Sequence, residues 1–483
     1  MVLLLGINAR FTHSALALYS LRRYCDGLDY EIFVKECSIN MQPGVLLNEI
    51  ASRNPAIIGI SVYIWNAHYI REILPQLARL FPRAKIVLGG PEVSYNSEEW
   101  LDEFPEVTHI IQGAGEAGFR RLLENNGELP ERVVSVSNPI FSSIPFPYTD
   151  LDLANFGHRY VYYESSRGCP FRCTYCLSSR ESMRVEYRDP EQVCRELESI
   201  LRHEPKIVKF LDRSFNARVS HSRAIWKWLI EKNASTKFHF EIHPQVLEEE
   251  DWQLLSRVPA GRFQFEVGVQ TINSRSLRAV KRAMDWETVR FAIHQLISRT
   301  KISVHLDLIM GLPCDTIENA RASFNEIYRL GPQQIQVGFL KVLPGTELRL
   351  RSEKLGIKFN PEPPYEVIST PWISSGDLDM LRTISRLINN LFNNMRFPRI
   401  SAMLETMHPD PYSLYADLAV WMEKNGRNPS VKNAEQCAQN LVEYALHVVR
   451  CTRDQVIADI TADWEGLRKT KVLPKGVRSL FYG

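Results

Sequence analysis

Apolar and polar residues change rhythm three times along the chain. Over the first 125 residues, short apolar runs alternate with longer amphipathic ones. The runs VLLLGIN, EIFVKECSI, AIIGISVYIW, AKIVLGGPEVS and THIIQGAGEAGF predict five strands, the last running into a helix that starts near Glu116. HSALALYSLRRY, PGVLLNEIASR and NAHYIREILPQLARLF predict helices between them, with a shorter one near 96–103. The third contains Pro75, which lacks an N–H and predicts a kink. This alternation predicts an open parallel sheet in a doubly wound, Rossmann-like domain over 1–125. Ligands of such sheets sit at the carboxyl ends of the strands, here GIN, SVY, GGPE and GAGE.

Residues 126–158 break the rhythm with NPIFSSIPFPYTD, rich in proline and serine, and predict a linker. A second alternating series occupies 159–345. Its strands are YVYYESS, KIVKFLD, KFHFEIH, RFQFEVGVQ, ISVHLDLIMG and QIQVGFLKV, with amphipathic helices between. Six such units predict a partial parallel (β/α)6 barrel, short of the closed eight-unit form of about 250 residues. From 346 to 483 the strand signal fades into a mostly helical domain. There GDLDMLRTISRLINNLFNNM places apolar residues at 378, 381, 384, 387 and 391, one helical face. Further helices are predicted near 412–425, 433–449 and 453–468. This last region is expected to cap the barrel or shape its pocket.

Composition narrows the classes. Of 483 residues, 45% are hydrophobic and 24% charged, an ordinary globular balance. The formal charge of +2 argues against a dominant nucleic-acid role. The opening apolar run is too short for a signal peptide, and no stretch approaches the roughly 18 apolar residues of a membrane span. Nine cysteines, sparse outside one cluster, point to a reducing cytoplasm rather than a disulfide scaffold.

That cluster carries the chemistry. SSRGCPFRCTYCLSS places Cys169, Cys173 and Cys176 on the loop after the first barrel strand, at the carboxyl face where barrels hold their active sites. Three thiolates leave a metal centre one open position. A closed zinc site would need a fourth ligand. Cys194 is available in sequence but falls beside Val193 and Leu197 on the predicted apolar face of a helix, so it is expected in the core.

The spacing on this loop resembles the radical S-adenosylmethionine superfamily, in which a [4Fe-4S] cluster binds S-adenosylmethionine at its open iron and cleaves it to a 5′-deoxyadenosyl radical. The resemblance implies that Tyr175 packs near the adenine. FLDRSF offers Asp212 where the family reads the methionine amine, although the usual Gly-Gly-Glu is absent. FEIHP offers Glu241. EVGVQTINSRSLRAVKR and DLIMGLP resemble the fourth and fifth strands of the subfamily of oxygen-independent coproporphyrinogen oxidase. They imply that Gln270 and Asp307 contact the ribose and methionyl parts, and that Glu241 and Arg282 contact the methionyl carboxylate and amine region.

A doubly wound domain ahead of such a barrel resembles the cobalamin (B12)-binding subfamily. The echoes are GISVYIW, VLGGPEVS and IIQGAGEAGF, which imply contacts to cobalamin from Ser61, Gly89, Gly90, Pro91, Gly113, Gly115 and Glu116. The Asp-x-His-x-x-Gly signature whose histidine ligates cobalt is absent. His13 and His68 stand outside that context and are expected to be surface or packing residues. The alternative is a degenerate domain without cobalamin.

The resemblance implies a methyltransferase that moves a methyl group from S-adenosylmethionine through methylcobalamin to an unactivated carbon. A non-methylating rearrangement, ring contraction or cyclisation uses the same parts, and an iron–sulfur or cobalamin sensor is a further alternative. A small-molecule or natural-product substrate and a low-potential donor of flavodoxin or ferredoxin type are implied. No residue is assigned to catalysis itself.

Overall fold

The computed structural model describes residues 1–181, 184–232 and 234–482. Six strands build the first sheet: β1 (Val2–Asn8), β2 (Ile32–Ser38), β3 (Ile57–Ser61), β4 (Lys85–Gly89), β5 (Val107–Ile111) and β6 (Val133–Val134). All pair in parallel in the order β2-β1-β3-β4-β5-β6, so the topological switch point lies between β1 and β3. β1 is buried along its whole length because helices cover both faces. Leu46, Ile50, Ile70, Ile73, Leu77 and Trp100 pack on one side. Leu18, Phe119 and Leu122 pack on the other. The helix Ala67–Leu80 continues through Pro75. Two expectations shift. β6 and the helix Asp150–Phe156 both lie within the segment expected to be a linker. The fourth strand stops at Gly89, because Gly90 at φ 107° turns the chain and Pro91 opens a short helix, Pro91–Ser94.

The second sheet is the partial barrel. β7 (Val161–Tyr163), β8 (Ile207–Phe210), β9 (Lys237–Glu241), β10 (Phe263–Gln270), β11 (Ser303–Met310) and β12 (Gln334–Phe339) follow one another in order, all parallel. Burial alternates strictly along β10 and β11. Phe263, Phe265, Val267 and Val269 are buried in the outer core, where Phe265 meets Trp226 of the helix Val219–Glu231. Gln264, Glu266, Gly268 and Gln270 therefore share the opposite, lumen face.

Beyond the barrel lie the helices Ser375–Asn390, Pro398–Thr406, Pro411–Lys424, Ala434–Glu443, Arg453–Arg468 and Lys475–Tyr482. A capping box at Ser374 and Asp377 starts the first, which buries Leu378, Leu381, Ile384 and Leu387. This domain lies against the barrel's open edge. Ser385 Oγ donates to the Val337 carbonyl at 3.1 Å, and Asn393 exchanges two 2.9 Å hydrogen bonds with the Ile335 backbone. These contacts satisfy the unpaired backbone of β12. A small ribbon, Lys358–Phe359 with Val367–Ser369, precedes the helices and was not foreseen. Among the described residues no helix is long and apolar enough to cross a membrane.

Candidate functional site

The three-cysteine loop leaves β7 through a two-stranded ribbon, Ser166–Arg167 with Glu186–Tyr187. Gly168 sits at φ 104°, and a Cβ there would lie 3.0 Å from the Arg184 carbonyl, so only glycine turns the chain into the loop. Cys169 and Cys173 are buried and Cys176 half-buried, and all nine cysteines are free thiols. Ser179 Oγ donates to the carbonyls of Cys173 (3.0 Å) and Cys176 (2.6 Å). Thr174 N donates to the Val280 carbonyl, which ties the loop to the end of the short helix Ser274–Ala279 that follows β10. Burial pushes the Cys169 thiol up, and the two neighbouring cysteines add to this. Among the described residues no three His, Cys, Asp or Glu side chains converge as ligands of a single ion. A cluster that gives each thiolate its own iron needs no such convergence. Cys194 is half-buried rather than in the core: Val193, Leu197 and Ile200 take the apolar face of the helix Pro190–Leu201, and Cys194 sits on its flank near Lys232.

Arg282 reaches into this loop. Its Nη1 lies 3.7 Å from Cys173 Sγ, and its Nη2 donates to the Gly268 carbonyl. Tyr175 lies in the same group; burial raises its phenol, and Arg282 opposes the rise. Gln270 stands at φ 69°, where the β10–β11 register slips between Gly268 and Gln270. Its side chain folds over Gly268, whose absent Cβ would meet the Gln270 amide nitrogen at 2.2 Å. A non-glycine residue held in this region marks stored strain of the kind found at ligand sites. Asp307 follows on β11. Glu241 ends β9, where burial lifts its carboxyl to about 7, with Arg213 opposing and Glu266 and Asp212 reinforcing.

Polar atoms buried without a partner in this region include Thr174 Oγ1, Gln270 Oε1, Arg282 Nε and Asp307 Oδ1. Each such atom costs about 1–3 kcal/mol when left unsatisfied. Their gathering beside the thiol loop fits a polar guest with donors and acceptors, as S-adenosylmethionine is.

Asp212 departs from expectation. It is fully buried, and its oxygens accept from Ser165 N (3.0 Å), Ser165 Oγ (2.6 Å) and Ser166 Oγ (2.6 Å). Burial raises its carboxyl to about 6, and the three hydrogen bonds pull against the rise. The group placed near a methionine amine instead anchors the backbone that leads into the cysteine loop.

At the strand ends of the first sheet the glycines divide. Gly89 has only the Ile111 carbonyl near a prospective Cβ, at 3.6 Å, and Gly113 (φ 71°) only Asn138 Oδ1, also at 3.6 Å. Both leave room for a ligand. Gly90 and Gly115 serve packing: a Cβ would lie 2.6 Å from the Val62 carbonyl at Gly90 and 3.2 Å from Leu21 at Gly115. Ser61 is buried, and its carbonyl accepts from Asn66 Nδ2. Pro91 opens the short helix after Gly90. Glu116 is not open to a ligand. It accepts from Ser20 Oγ (3.1 Å) and from Arg167 Nη2 (3.0 Å), and so links this domain to the cysteine loop. His13 bonds Tyr162 at 2.5 Å, and His68 pairs with the Pro363 carbonyl at 3.0 Å. Tyr63 and Trp65, which were not anticipated, stack at 4.3 Å just beyond β3. Both lie in the GISVYIW stretch, where the apolar run predicts a strand continuing through Trp65, so they were not set apart as site residues.

Three family models match successive parts of the chain: the B12 binding domain over 2–123, the radical SAM superfamily over 163–327, and DUF4080, a protein family of unknown function, over 353–481. The chain is 22% identical over 349 residues to the cobalamin-dependent radical SAM methyltransferase TokK of Streptomyces tokunonensis, covering 64% of this chain and 51% of that one. It is 27% identical over 264 residues to the anaerobic magnesium-protoporphyrin IX monomethyl ester cyclase of a Synechocystis species, covering 49% and 50%. The chain thus spans about half the length of both curated relatives. Its fold resembles that of the cobalamin-dependent S-adenosylmethionine radical enzyme OxsB, with TM-score 0.68 and 14% identity over 100% of this chain and 83% of that one. The thiol loop at the mouth of the partial barrel thus lies in the segment that matches the radical SAM superfamily, and the doubly wound domain in front of it is the segment that matches the B12 binding domain.

Proposed function

We propose that the chain is a cobalamin-dependent radical S-adenosylmethionine methyltransferase acting on an unactivated carbon of a small-molecule substrate. The observation that carries this reading is the group of unpartnered buried atoms on Thr174, Gln270, Arg282 and Asp307 beside the thiol loop. Cys169, Cys173 and Cys176 would hold a [4Fe-4S] cluster. Gln270, Asp307, Glu241 and Arg282 would bind S-adenosylmethionine, with Tyr175 against its adenine. Ser61, Gly89 and Gly113 would accommodate cobalamin, with Gly90, Pro91 and Gly115 shaping the turns around it.

When bound, the cluster and S-adenosylmethionine supply a carbon radical, and cobalamin supplies a methyl carrier. The protein's part is to bind, orient and exclude water. Arg282 places a cation beside Cys173, where a clustered anionic charge would sit. The buried glutamine and aspartate fix a polar ligand by hydrogen bonds that strengthen away from water. A low-potential electron donor of flavodoxin or ferredoxin type would be required.

The test is anaerobic reconstitution of the full chain with iron, sulfide and hydroxocobalamin, followed by incubation with S-adenosylmethionine labelled in its methyl group. Formation of 5′-deoxyadenosine and transfer of label to a small-molecule acceptor support the proposal. Absence of 5′-deoxyadenosine under reducing conditions overturns it. The likeness to the Synechocystis cyclase favours a second reading, a cyclisation or rearrangement. That reading expects 5′-deoxyadenosine with no label in the product.

A further inference from the structure

The interior of a parallel barrel is ordinarily packed with branched aliphatic side chains. In this barrel the pattern is reversed. Val208, Phe265, Leu306 and Val337 point outward and are buried. Their strand neighbours Lys209, Gln264, Glu266 and His305 face the lumen and are half-buried, and Gln336 is exposed. An inward residue with accessible surface has water-sized space beside it, so the lumen is a wet chamber and not a packed core.

Hydrogen bonds hold the walls of this chamber. Gln264 Nε2 lies 3.1 Å from His239 Nδ1 and 3.1 Å from His305 Nδ1, so one amide bridges the rings of β9 and β11. His239 Nε2 lies 3.2 Å from Glu266 Oε2. The first domain extends the wall beyond β7. Tyr160 N donates to the Thr12 carbonyl at 2.7 Å, and Ser14 Oγ donates to the Tyr160 carbonyl at 2.8 Å. His13 Nδ1 lies 2.5 Å from the Tyr162 hydroxyl. Tyr162 faces the lumen, since Val161 and Tyr163 on either side lie in the outer core.

The groups that the walls leave over are polar. The Lys209 ammonium stands over the Tyr160 ring at 5.3 Å and enters no ion pair among the described residues; Glu241 and Glu266 act on it at longer range. Among the described residues, His305 Nε2 and the Gln336 amide make no hydrogen bond. His305 precedes Asp307 by two residues on the same face of β11, about 7 Å along the strand. The chamber therefore opens beneath Asp307, whose Oδ1 is buried without a partner. An apolar guest that displaced the water would leave Lys209, His305 and Gln336 unpaired, and such groups are costly to strand. A site built for hydrogen bonds rejects ligands that lack them far more strongly than an apolar pocket rejects an extra hydroxyl.

We propose that this lumen seats the polar part of the substrate, and that the substrate is a small water-soluble molecule carrying several hydroxyl or amino groups, not a flat apolar macrocycle or a terpenoid. This rests on the placement of S-adenosylmethionine at Gln270 and Asp307 proposed above. A hydroxyl both donates and accepts, so it suits an ammonium, an imidazole nitrogen and an amide in one chamber, and an amino group suits the Glu266 carboxylate.

The experiment reads the lumen through His305. The full chain is treated with diethyl pyrocarbonate, and modification of each histidine is followed by peptide mass analysis. His294 is exposed and His221 is 2% exposed, so the two bracket the scale. His305 should react about tenfold or more faster than His221, which must wait for local opening. A His305 as slow as His221 overturns the open lumen. The anaerobically reconstituted chain is then treated in the presence of S-adenosylmethionine, with either the aqueous methanol phase or the chloroform phase of a cell extract as the probe. The ratio of His305 to His294 modification cancels reagent lost to the extract. Protection of His305 by the aqueous phase alone supports the proposal. Protection by the chloroform phase, alone or as well, overturns the polar substrate class. Protection by neither overturns the lumen as the substrate's seat. The readout needs no turnover, so it separates from the test of the proposed reaction: protection of His305 by the aqueous phase without 5′-deoxyadenosine formation supports the polar site and overturns the radical chemistry.

Discussion

Arg167, two residues before Cys169, reaches across the domain boundary to Glu116, with Nη2 and Oε1 3.0 Å apart. Glu116 is almost fully buried at the start of the helix Gly115–Glu124, and its second contact, Ser20, lies on the helix Leu16–Tyr24. One carboxylate thus couples two helices of the B12-binding domain to the approach of the cysteine loop. Glu116→Ala would orphan Arg167 only in part, because Glu164 pairs with the same guanidinium at 2.7 Å. The expected cost is about 1–2 kcal/mol. Urea unfolding of the full chain checks it, and iron content after reconstitution should be unchanged.

Cys169→Ala, Cys173→Ala and Cys176→Ala should each abolish the four-iron cluster, since each removes one of three protein ligands. Cys194→Ala should retain it, because Cys194 lies on the flank of a separate helix beside Lys232. Iron and sulfide counts after anaerobic reconstitution decide. A single cluster-loop variant with full iron would remove the assignment.

The reach of Asp212 leads to a different expectation from that for Gln270 and Arg282. Asp212→Ala would leave the Ser165 N–H and the buried Ser166 hydroxyl without their acceptor, while the Ser165 hydroxyl keeps His221 Nε2 at 3.2 Å. At about 1–3 kcal/mol for each orphaned group, the loop should loosen, and the cluster should yield iron to a chelator faster than in wild type. Affinity for S-adenosylmethionine should stay within about threefold of wild type, whereas Gln270→Ala and Arg282→Ala should each weaken it by about tenfold for every ~1.4 kcal/mol lost. A large affinity loss in Asp212→Ala alone would return it to the ligand site.

The contrast between local and long-range information explains what the chain disclosed. The cysteine spacing is local, and so are the short apolar runs that mark β1 and β3 and the alternation of apolar and polar residues along β10 and β11. The partners of Asp212 lie 46 and 47 residues upstream, so its role as an anchor has no local mark. The bond from Tyr365 to Glu92 spans 273 residues and draws the segment before the helical domain onto the turn after Gly90. Glu266, His239 and Lys209 were missed for another reason. Polar residues alternating with apolar ones along a strand look the same whether they face solvent or an enclosed lumen. β6 is two residues long, below any periodicity.

Burial of neutral histidines sets an acid limit on stability. His221 and His243 are both lowered from 6.5 to about 4, chiefly by burial, with Arg218 and Arg282 respectively adding. The unfolded chain takes up protons at these rings from pH 6.5 downward while the folded chain does not. Stability is therefore full above 6.5 and falls toward pH 4, by about 3 kcal/mol for each ring. Asp212 and Glu241 act in the opposite sense. Raised to about 6 and about 7, they stabilise the acid side and lose that contribution as pH rises through those values. Urea midpoints followed from pH 8 to 4 should show the histidine loss offset in part by the carboxyls. His243→Gln should flatten the acid limb by about one proton. An unchanged limb in that variant would show that His243 is not buried as a neutral ring.

Gly89 and Gly90 are adjacent and should fail in different ways. Gly90 is held at φ 107°, and a Cβ would meet the Val62 backbone at 2.6 Å, a contact that cannot relax by side-chain rotation. Gly90→Ala should therefore destabilise the first domain by more than the ~1 kcal/mol of a left-handed backbone alone, whether or not a ligand is bound. Gly89 has an ordinary backbone and open space, with only the Ile111 carbonyl at 3.6 Å. A bulky side chain there should leave the fold and the iron content intact and fill the room at the end of β4. Thermal unfolding separates the two variants first. The visible spectrum of protein reconstituted with hydroxocobalamin and then desalted separates them again. Gly89→Leu should retain its wild-type transition and lose the corrin absorbance, and Gly113→Leu should lose it as well but with some strain, since that position stands at φ 71°. Full retention of cobalamin by folded Gly89→Leu would mean that the ligand does not enter at the end of β4. A wild-type chain that retains none would leave the amino-terminal domain with another ligand and remove the methyl carrier from the proposed reaction.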